Sequence, residues 1–154
     1  MYRKIMVPLD GSALAECVLP HVEAIADGCP VRELVLLRIV EPERVYSVSN
    51  SPIDPNLAAG RESERKKEAE DYLRSVAVRL DAPGLVCEIK SIVGRVAESL
   101  VDYCVDNEVD LIIIATHGHS GVTRWVRGSV ADKILRSSKI PVLMIRAPGT
   151  EKGV

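Results

Sequence analysis

The sequence predicts an α/β domain in which helices cover both faces of a parallel sheet. Five short apolar runs alternate with four segments whose apolar residues recur at helical spacing. Such β-α-β alternation requires crossover connections, which place helices on both faces of the sheet. The chain has 154 residues and is 47% hydrophobic, so it can build a substantial core, and we expect one domain over 1–154.

The first strand is predicted at 4–9, where the run KIMVPL is apolar. Ser12 then provides a side-chain cap for a helix. The inward-facing stripe of this helix contains Leu14, Val18, Val22 and Ile25. A second strand follows at 33–40, where ELVLLRIV is apolar on both faces except at Arg38.

The segment 41–60 is the one long irregular stretch, with Pro42, Pro52 and Pro55 among Ser and Asn residues. A loop of this length in a compact domain is usually a lid or a disordered segment, and the sequence leaves both open. The mixed-charge run at 61–71 predicts the solvated face of a helix.

Helical spacing returns in three later segments. Their inward positions are Ala69, Leu73, Val76 and Leu80, then Val96, Leu100, Tyr103 and Cys104, and finally Val130, Ile134 and Leu135. The third strand, at 85–93, alternates in polarity as an edge strand does. DLIIIA at 110–115 is the most apolar run and predicts a central strand. The last strand is predicted at 141–146, and 147–154 form a tail.

Composition and charge exclude several classes of protein. The net charge of −2 lacks the basic excess of nucleic-acid-binding and membrane-surface proteins. No apolar run has the length of a membrane span, and the N-terminus lacks the apolar region of a signal peptide, so we expect a cytoplasmic protein. The four cysteines have no CxxC spacing, which argues against a zinc site or a redox pair and favours buried or half-buried thiols.

The most unusual stretch is ATHGHSGVTRWVRGSV at 115–130, which has three glycines, two histidines, two arginines and no acidic residue. Ser129 and Asp132 have capping-box spacing, so a helix running to Arg136 starts at Ser129, just after Gly128. The unpaired N–H groups of a helix start can bind a phosphate, or the motif can simply cap the helix.

A phosphate site at this helix start needs further donors. The helix dipole contributes only ~0.3–1 kcal/mol, whereas micromolar affinity requires about 8 kcal/mol. The same stretch supplies candidate donors in Thr116, His117, His119, Ser120, Arg124 and Arg127, while Gly118 and Gly121 can turn N–H groups inward. Two histidines without a third nearby ligand make a poor metal site.

A second polar feature, Pro8-Leu9-Asp10-Gly11-Ser12, follows the first strand. Parallel α/β sheets bind ligands at the carboxyl ends of their strands, where the strand order reverses. At such a place Asp10 can accept a hydrogen bond from a base or a ribose, or hold a metal through water. It can equally form an Asx turn that leads into the helix.

Other nucleotide and hydrolase motifs are missing from the sequence. There is no GxxxxGK[ST], no GxGxxG after the first strand and no GxSxG. No carboxylate pair and no His-Asp-Ser spacing indicates a catalytic site.

Three segments together resemble the universal stress protein family, and the resemblance runs over residues 3–146. They are the first-strand segment VPLDGS, the glycine-spaced stretch, and the closing IPVLMIR. The nucleotide motif of the family is Gly-x2-Gly-x9-Gly-Ser/Thr. Here Gly118, Gly128 and Ser129 match it, and Ala115 replaces the first glycine.

The resemblance implies a Rossmann-like, five-stranded sheet in the order 3-2-1-4-5 that binds ATP between the first and fourth strands. It implies Mg²⁺ on the phosphates and a homodimer formed through the last strand, Pro141 to Ile145. By position, it implies that Asp10 and Ile39 face the adenine and ribose and that Val93 walls the base. It places Ala115, Gly118, Gly128, Ser129 and Val130 around the ribose and phosphates, and Pro8, Leu9, Thr116 and His117 complete the implied nucleotide-binding set.

The function implied is that of an adenine-nucleotide-binding stress or signalling module that is non-catalytic or hydrolyses ATP weakly. One alternative is a slow ATPase, for which only His117, His119 or Ser120 could position a water at the γ-phosphate. Another is a dimeric interaction protein that does not need a nucleotide.

Overall fold

The structure is a computed structural model, and it describes residues 2–42, 55–116 and 129–147. The strands are β1 (Lys4–Pro8), β2 (Glu33–Val40), β3 (Val86–Val93), β4 (Leu111–Ala115) and β5 (Val142–Ile145). The helices are α1 (Leu19–Gly28), α2 (Pro55–Arg79), α3 (Val96–Asp106) and α4 (Ser129–Ser137), and a 3-10 helix at Ala15–Val18 precedes α1.

The five strands form one parallel sheet in the order β3-β2-β1-β4-β5, which confirms the predicted class and order. β3 lies at one edge of the sheet, as its alternating polarity predicted. β4 is an interior strand with all five residues buried, and β1 occupies the middle position.

The sheet separates two apolar layers. On one face, alternate residues of β1, β2 and β4 pack against the 3-10 helix, α1 and α2. On the other face, the intervening residues pack against α3 and α4. Aliphatic side chains fill both layers, and the four cysteines are buried or half-buried free thiols, as expected. Burial raises the pKa of the most buried thiol, Cys104, to about 12.

The first helical segment is divided, which corrects the prediction of one helix capped by Ser12. A 3-10 helix spans Ala15–Val18, and α1 begins only at Leu19. The reason is Pro20, which has no N–H to donate to the carbonyl of Glu16. That carbonyl accepts the N–H of Leu19 in a 3-10 bond instead.

The irregular segment expected at 41–60 is shorter than predicted, because α2 already begins at Pro55. Proline suits the first turn of a helix, where its missing N–H has no intrahelical partner in any case. The lid or disorder hypothesis for 43–54 lies outside the described residues, as do 148–154 of the expected tail.

The fourth helix buries Ala131, whereas Leu135, which was predicted to face inward, is exposed. Leu135 is 40% exposed, whereas Ala131 and Ile134 are buried. Residues three apart share a helix face, while the next residue is rotated by about 100°. Ala131 and Ile134 therefore define the inward stripe, and Leu135 points away from it.

Candidate functional site

The strand order reverses at the centre of the sheet, between β1 and β4. These two strands are neighbours, with Ile5 paired to Leu111 and Met6 to Ile112. The chain leaves them in opposite directions, from β1 to β2 and from β4 to β5. A crevice opens at the carboxyl ends of such a strand pair, and this is where ligands bind in open α/β sheets.

A tight turn leaves the carboxyl end of β1 at this crevice. Pro8 is half-buried, Leu9 is buried and Asp10 is exposed. Asp10 Oδ1 accepts hydrogen bonds from the backbone N–H of Ser12 at 2.9 Å and from its Oγ at 2.6 Å. Asp10 therefore forms the Asx turn that the sequence left open, and this turn holds its carboxylate at the mouth of the sheet.

Ser12 links this turn to the first helix. Its Oγ accepts the backbone N–H of Ala15 at 3.2 Å. The glycine between Asp10 and Ser12 has φ +91°, in the left-handed region that glycine adopts without strain. The order Asp-Gly-Ser thus meets three separate local requirements: a side-chain acceptor, a positive φ and a cap.

The ends of β2 and β3 rise above the end of β1 and form a step. The β1–β2 ladder closes at Pro8 and Leu37, where the Leu9 N–H donates to the Leu37 carbonyl at 2.9 Å. β2 and β3 continue together as far as Val40 and Val93. Ile39 and Val93 are both half-buried near the top of this step. Val93 lies on the outer strand, two strands away from β1.

The carboxyl end of β4 lies on the other side of β1. Ala115 is the last residue of β4, is buried and pairs with Ile145 of β5. Its side chain belongs to the apolar layer on the α1 face. Thr116 follows, half-buried, and its N–H donates to the Ile145 carbonyl at 2.8 Å.

The structure describes some of the residues that the family resemblance places around the phosphates. Ser129 is the first residue of α4, and Val130 follows it as a half-buried residue. The side chain of Ser129 and the whole of His117, Gly118 and Gly128 lie outside the described residues.

A group of side chains lies beneath the Asp10 turn, and no pattern in the sequence predicted that these residues are neighbours. The guanidinium of Arg38 lies over the ring of Tyr72, with Cζ 5.3 Å from the ring centroid. The hydroxyl of Tyr72 donates to Glu16 Oε1 at 3.0 Å, and Glu16 Oε2 pairs with Arg79 Nη2 at 2.9 Å. Burial and the bond to Glu16 raise the pKa of Tyr72. The one signal in the sequence was Arg38, a charge within an otherwise apolar strand.

Two further contacts tie the helices around the site. Arg65 Nη1 of α2 donates to the carbonyl of Glu41, just past β2, at 2.9 Å. Lys133 of α4 pairs with Glu98 of α3, and this hydrogen bond lowers the pKa of Glu98. The first ties α2 to the end of β2, and the second joins the middle of α4 to the first turn of α3.

Two kinds of feature are absent from the described ranges, a metal-binding cluster and a membrane-spanning helix. No group of three or more His, Cys, Asp or Glu side chains is placed to hold a metal ion in the described part of the chain. None of the described helices is both long and apolar enough to cross a membrane.

Comparison with known proteins agrees with this geometry. Residues 1–146 match the model of the universal stress protein (Usp) family. Universal stress protein MJ0577 of Methanocaldococcus jannaschii is 28% identical, over 95% of this chain and 96% of its own. The solved structure of MJ0577 superposes with a TM-score of 0.82 at 26% identity, covering 100% of this chain and 99% of that one.

Two more distant structures share the fold. A universal stress protein solved in complex with cAMP has a TM-score of 0.66 at 22% identity, covering 97% of this chain and 98% of its own. A universal stress protein family protein of Arabidopsis thaliana, solved with AMP bound, has a TM-score of 0.62 at 15% identity, covering 98% and 95%. With the family model matched over nearly the whole chain, the protein belongs to the universal stress protein family.

Proposed function

We propose that this protein is a module that binds an adenine nucleotide, with ATP as its ligand, at the crevice between β1 and β4. The observation that carries the proposal is the Asp10 turn, whose carboxylate is held at the point where the strand order reverses. The cAMP and AMP complexes of two structural neighbours support it, since both ligands are adenine nucleotides.

The base and ribose occupy the β2 side of the crevice in this proposal. Ile39 and Val93 have half-buried apolar side chains near the top of the step, and in this proposal they contact the base. Pro8 and Leu9 form the floor at the end of β1, and Asp10 accepts a hydrogen bond from a ribose hydroxyl.

The phosphates occupy the β4 side. The backbone of α4 begins at Ser129, and the first N–H groups of a helix favour an anion. Gly118 and Gly128 bring more backbone donors close to the phosphates, beside Thr116, His117 and Val130. Mg²⁺ binds the phosphate oxygens, since Mg²⁺ is commonly held by substrate phosphates rather than by a cage of protein ligands.

Ala115 is compatible with this site although the family motif has a glycine there. Glu108 is the only non-glycine residue with a positive φ in the described ranges, so Ala115 does not need the freedom of glycine. Its methyl group is buried in the layer between the sheet and α1. The remaining motif residues therefore carry the close approach to the nucleotide.

The proposal is one of binding rather than catalysis, in a cytoplasmic stress-response or signalling role. The protein acts as a homodimer joined through Pro141 to Ile145. β5 supports this arrangement because it is an edge strand with four half-buried apolar residues and no outer strand partner in the described part of the chain. Native proteins usually cover or protect an apolar edge strand.

Mass spectrometry of the purified protein for a retained nucleotide, followed by calorimetric titration with ATP·Mg, tests the binding. We expect saturable binding to one site per chain. The absence of both retained nucleotide and heat of binding with ATP, ADP, AMP and cAMP would overturn the proposal. A steady-state phosphate-release assay then separates binding from turnover, and we expect no release that depends on His117, His119 or Ser120.

A further inference from the structure

Arg38 occupies an unusual position for a charged residue. It belongs to β2, and the neighbours on its face of the strand, Leu34 and Leu36, are fully buried in the layer beneath α1 and α2. The Arg38 side chain is half-buried and reaches toward the connection between β1 and the 3-10 helix. A guanidinium is always charged and strongly prefers partners when it is partly buried.

The guanidinium of Arg38 lies directly against Gly11. Its Cζ and both terminal nitrogens are 3.1 Å from the point that a Cβ on Gly11 would occupy. The guanidinium also lies over the ring of Tyr72, with Cζ 5.3 Å from the ring centroid. The guanidinium is therefore packed against both Gly11 and the Tyr72 ring.

Tyr72 is itself fixed. Its hydroxyl donates to Glu16 in the 3-10 helix, and Glu16 pairs with Arg79 of α2. A continuous set of contacts therefore runs from α2 through the Tyr72 ring to Arg38, and from Arg38 to the backbone of Gly11. We call these residues the Arg38 support.

The Arg38 support meets the Asp10 turn at Gly11. The two bonds between Ser12 and Asp10 fix the shape of the turn. The Leu9 N–H joins the start of the turn to the sheet, and the Arg38 guanidinium packs against the turn one residue past Asp10. A side chain that packs closely against the backbone of a turn restricts the movement of that turn.

We propose that Arg38 is a positioning residue for nucleotide binding, which holds the Asp10 turn in place from below through its contacts with Tyr72 and Gly11. The inference rests on the proposed function. It adds a residue that touches the turn rather than the nucleotide, and it makes α2 a part of the support of the site.

The experiment compares ATP·Mg affinity in Arg38→Met, Tyr72→Leu, the double variant and Arg74→Met, at a temperature well below each unfolding transition. A cation–π contact of ~0.5–2 kcal/mol corresponds to a change of about two- to thirtyfold. We expect Arg38→Met and Tyr72→Leu each to raise Kd within that range. Arg74→Met removes an exposed guanidinium of α2 that pairs with Asp71 and is the matched control, with Kd close to that of the wild type.

Non-additivity distinguishes positioning from two independent losses. If Arg38 acts through Tyr72, the double variant raises Kd no more than the worse single variant. Additive losses, or an unchanged Kd in Arg38→Met, would overturn the proposal. A merely structural role of Arg38 would lower the melting temperature and leave Kd unchanged.

Hydrogen exchange tests the positioning independently of the nucleotide. Arg38→Met should speed exchange in a peptide covering 9–15 and leave β5 unchanged, while Arg74→Met changes neither. Unaltered exchange in 9–15 overturns the inference even if the protein binds no nucleotide. Faster exchange there, together with a wild type that binds no nucleotide, would overturn the proposed function and the role of Arg38 in binding.

Discussion

Asp10 Oδ1 accepts two hydrogen bonds from Ser12, one from its backbone N–H at 2.9 Å and one from its Oγ at 2.6 Å. The sequence left two interpretations of Asp10 open, a ligand contact and an Asx turn. The geometry shows that the turn is formed, and a formed turn does not exclude the contact. It fixes the direction of the carboxylate before any ligand arrives, which reduces the ordering needed on binding.

Ser12→Ala removes the Oγ bond to Asp10 and the cap on Ala15, and keeps the backbone bond to Asp10. Loss of a cap costs about 0.5–2 kcal/mol, so we expect a loss of about 1 kcal/mol in the free energy of unfolding, measured in urea. Ser137→Ala removes an exposed hydroxyl bonded to a carbonyl within α4 and is the control. Its effect should stay within about 0.5 kcal/mol. Equal effects would mean that the cap at Ser12 contributes nothing of its own.

Two structural effects should make Gly11→Ala destabilising, whereas only one of them applies to Gly84→Ala. Both glycines have a positive φ, +91° and +85°, but an added Cβ touches the Arg38 guanidinium only at Gly11 and finds open space at Gly84. Left-handed backbone costs about 1–2 kcal/mol for a residue with a Cβ. We expect Gly84→Ala to lose about 1 kcal/mol and Gly11→Ala to lose more, as measured by denaturant unfolding.

The excess loss at Gly11 isolates the contact with Arg38. In an Arg38→Ala background, Gly11→Ala should be no more destabilising than Gly84→Ala. An excess that persists without Arg38 would show that another part of the turn resists the added methyl group.

The fold could be predicted because its signal is local and repeated. Each interior strand is a run of aliphatic residues, such as LIII at 111–114, and each helix except part of α4 shows its inward stripe directly. The strand order came from the family resemblance, since alternation alone predicts a parallel sheet and not the sequence of its neighbours. The predicted helix boundaries were wrong at Pro20 and Pro55. There a single missing N–H sets the boundary, which the periodicity of apolar residues does not show.

The sequence could predict residues of the candidate site only from their positions along the chain, and not from contacts between distant residues. Asp10 and Thr116 follow predicted strands, and Ala115 was identified from the family motif; the topology brings all three to one edge. The contact between Arg38 and Gly11 joins residues 27 positions apart. It depends on the space that Gly11 leaves free because it has no side chain, and on the Tyr72 ring of α2. No spacing in the sequence encodes such a packing relationship.

Gly118→Val and Gly128→Val should abolish nucleotide binding without unfolding the protein. A branched side chain at either position keeps the phosphates from the backbone donors. Calorimetric titration with ATP·Mg measures the effect, and far-ultraviolet circular dichroism checks the fold. Gly60→Val is the control, because Gly60 lies in α2 with open space where a Cβ would be. Unchanged affinity in both motif variants would contradict the site assignment.

Asp110→Asn should destabilise the protein near neutral pH and much less in acid. Asp110 Oδ2 accepts the backbone N–H groups of Arg3 at 2.7 Å and Lys4 at 2.9 Å, and these bonds hold its pKa below the ordinary value. A lowered folded-state pKa stabilises the protein above the ordinary pKa of about 3.9, and this stabilisation is lost as the pH falls through the folded pKa.

We therefore expect Asp110→Asn to lose about 1 kcal/mol at pH 7, and the difference from the wild type to shrink as the pH drops below about 4. Denaturant unfolding at several pH values measures it. Asp102→Asn removes an exposed charge from α3 and should show little change at any pH. A difference for Asp110→Asn that stays constant down to pH 2 would exclude the carboxylate charge as its cause.

Ala115→Gly restores the first glycine of the family motif and should make the protein less stable without tightening nucleotide binding. The Ala115 methyl is buried with the apolar layer beneath α1, and the residue is paired to Ile145 within the sheet. Loss of a buried methyl and the added freedom of glycine in a strand together cost about 1–2 kcal/mol. Because the methyl points into that layer and not into the crevice, we expect Kd for ATP·Mg to stay within about twofold, a change of ~0.4 kcal/mol. A tenfold tighter Kd in Ala115→Gly would show instead that the methyl crowds the nucleotide, and that this departure from the motif weakens the site.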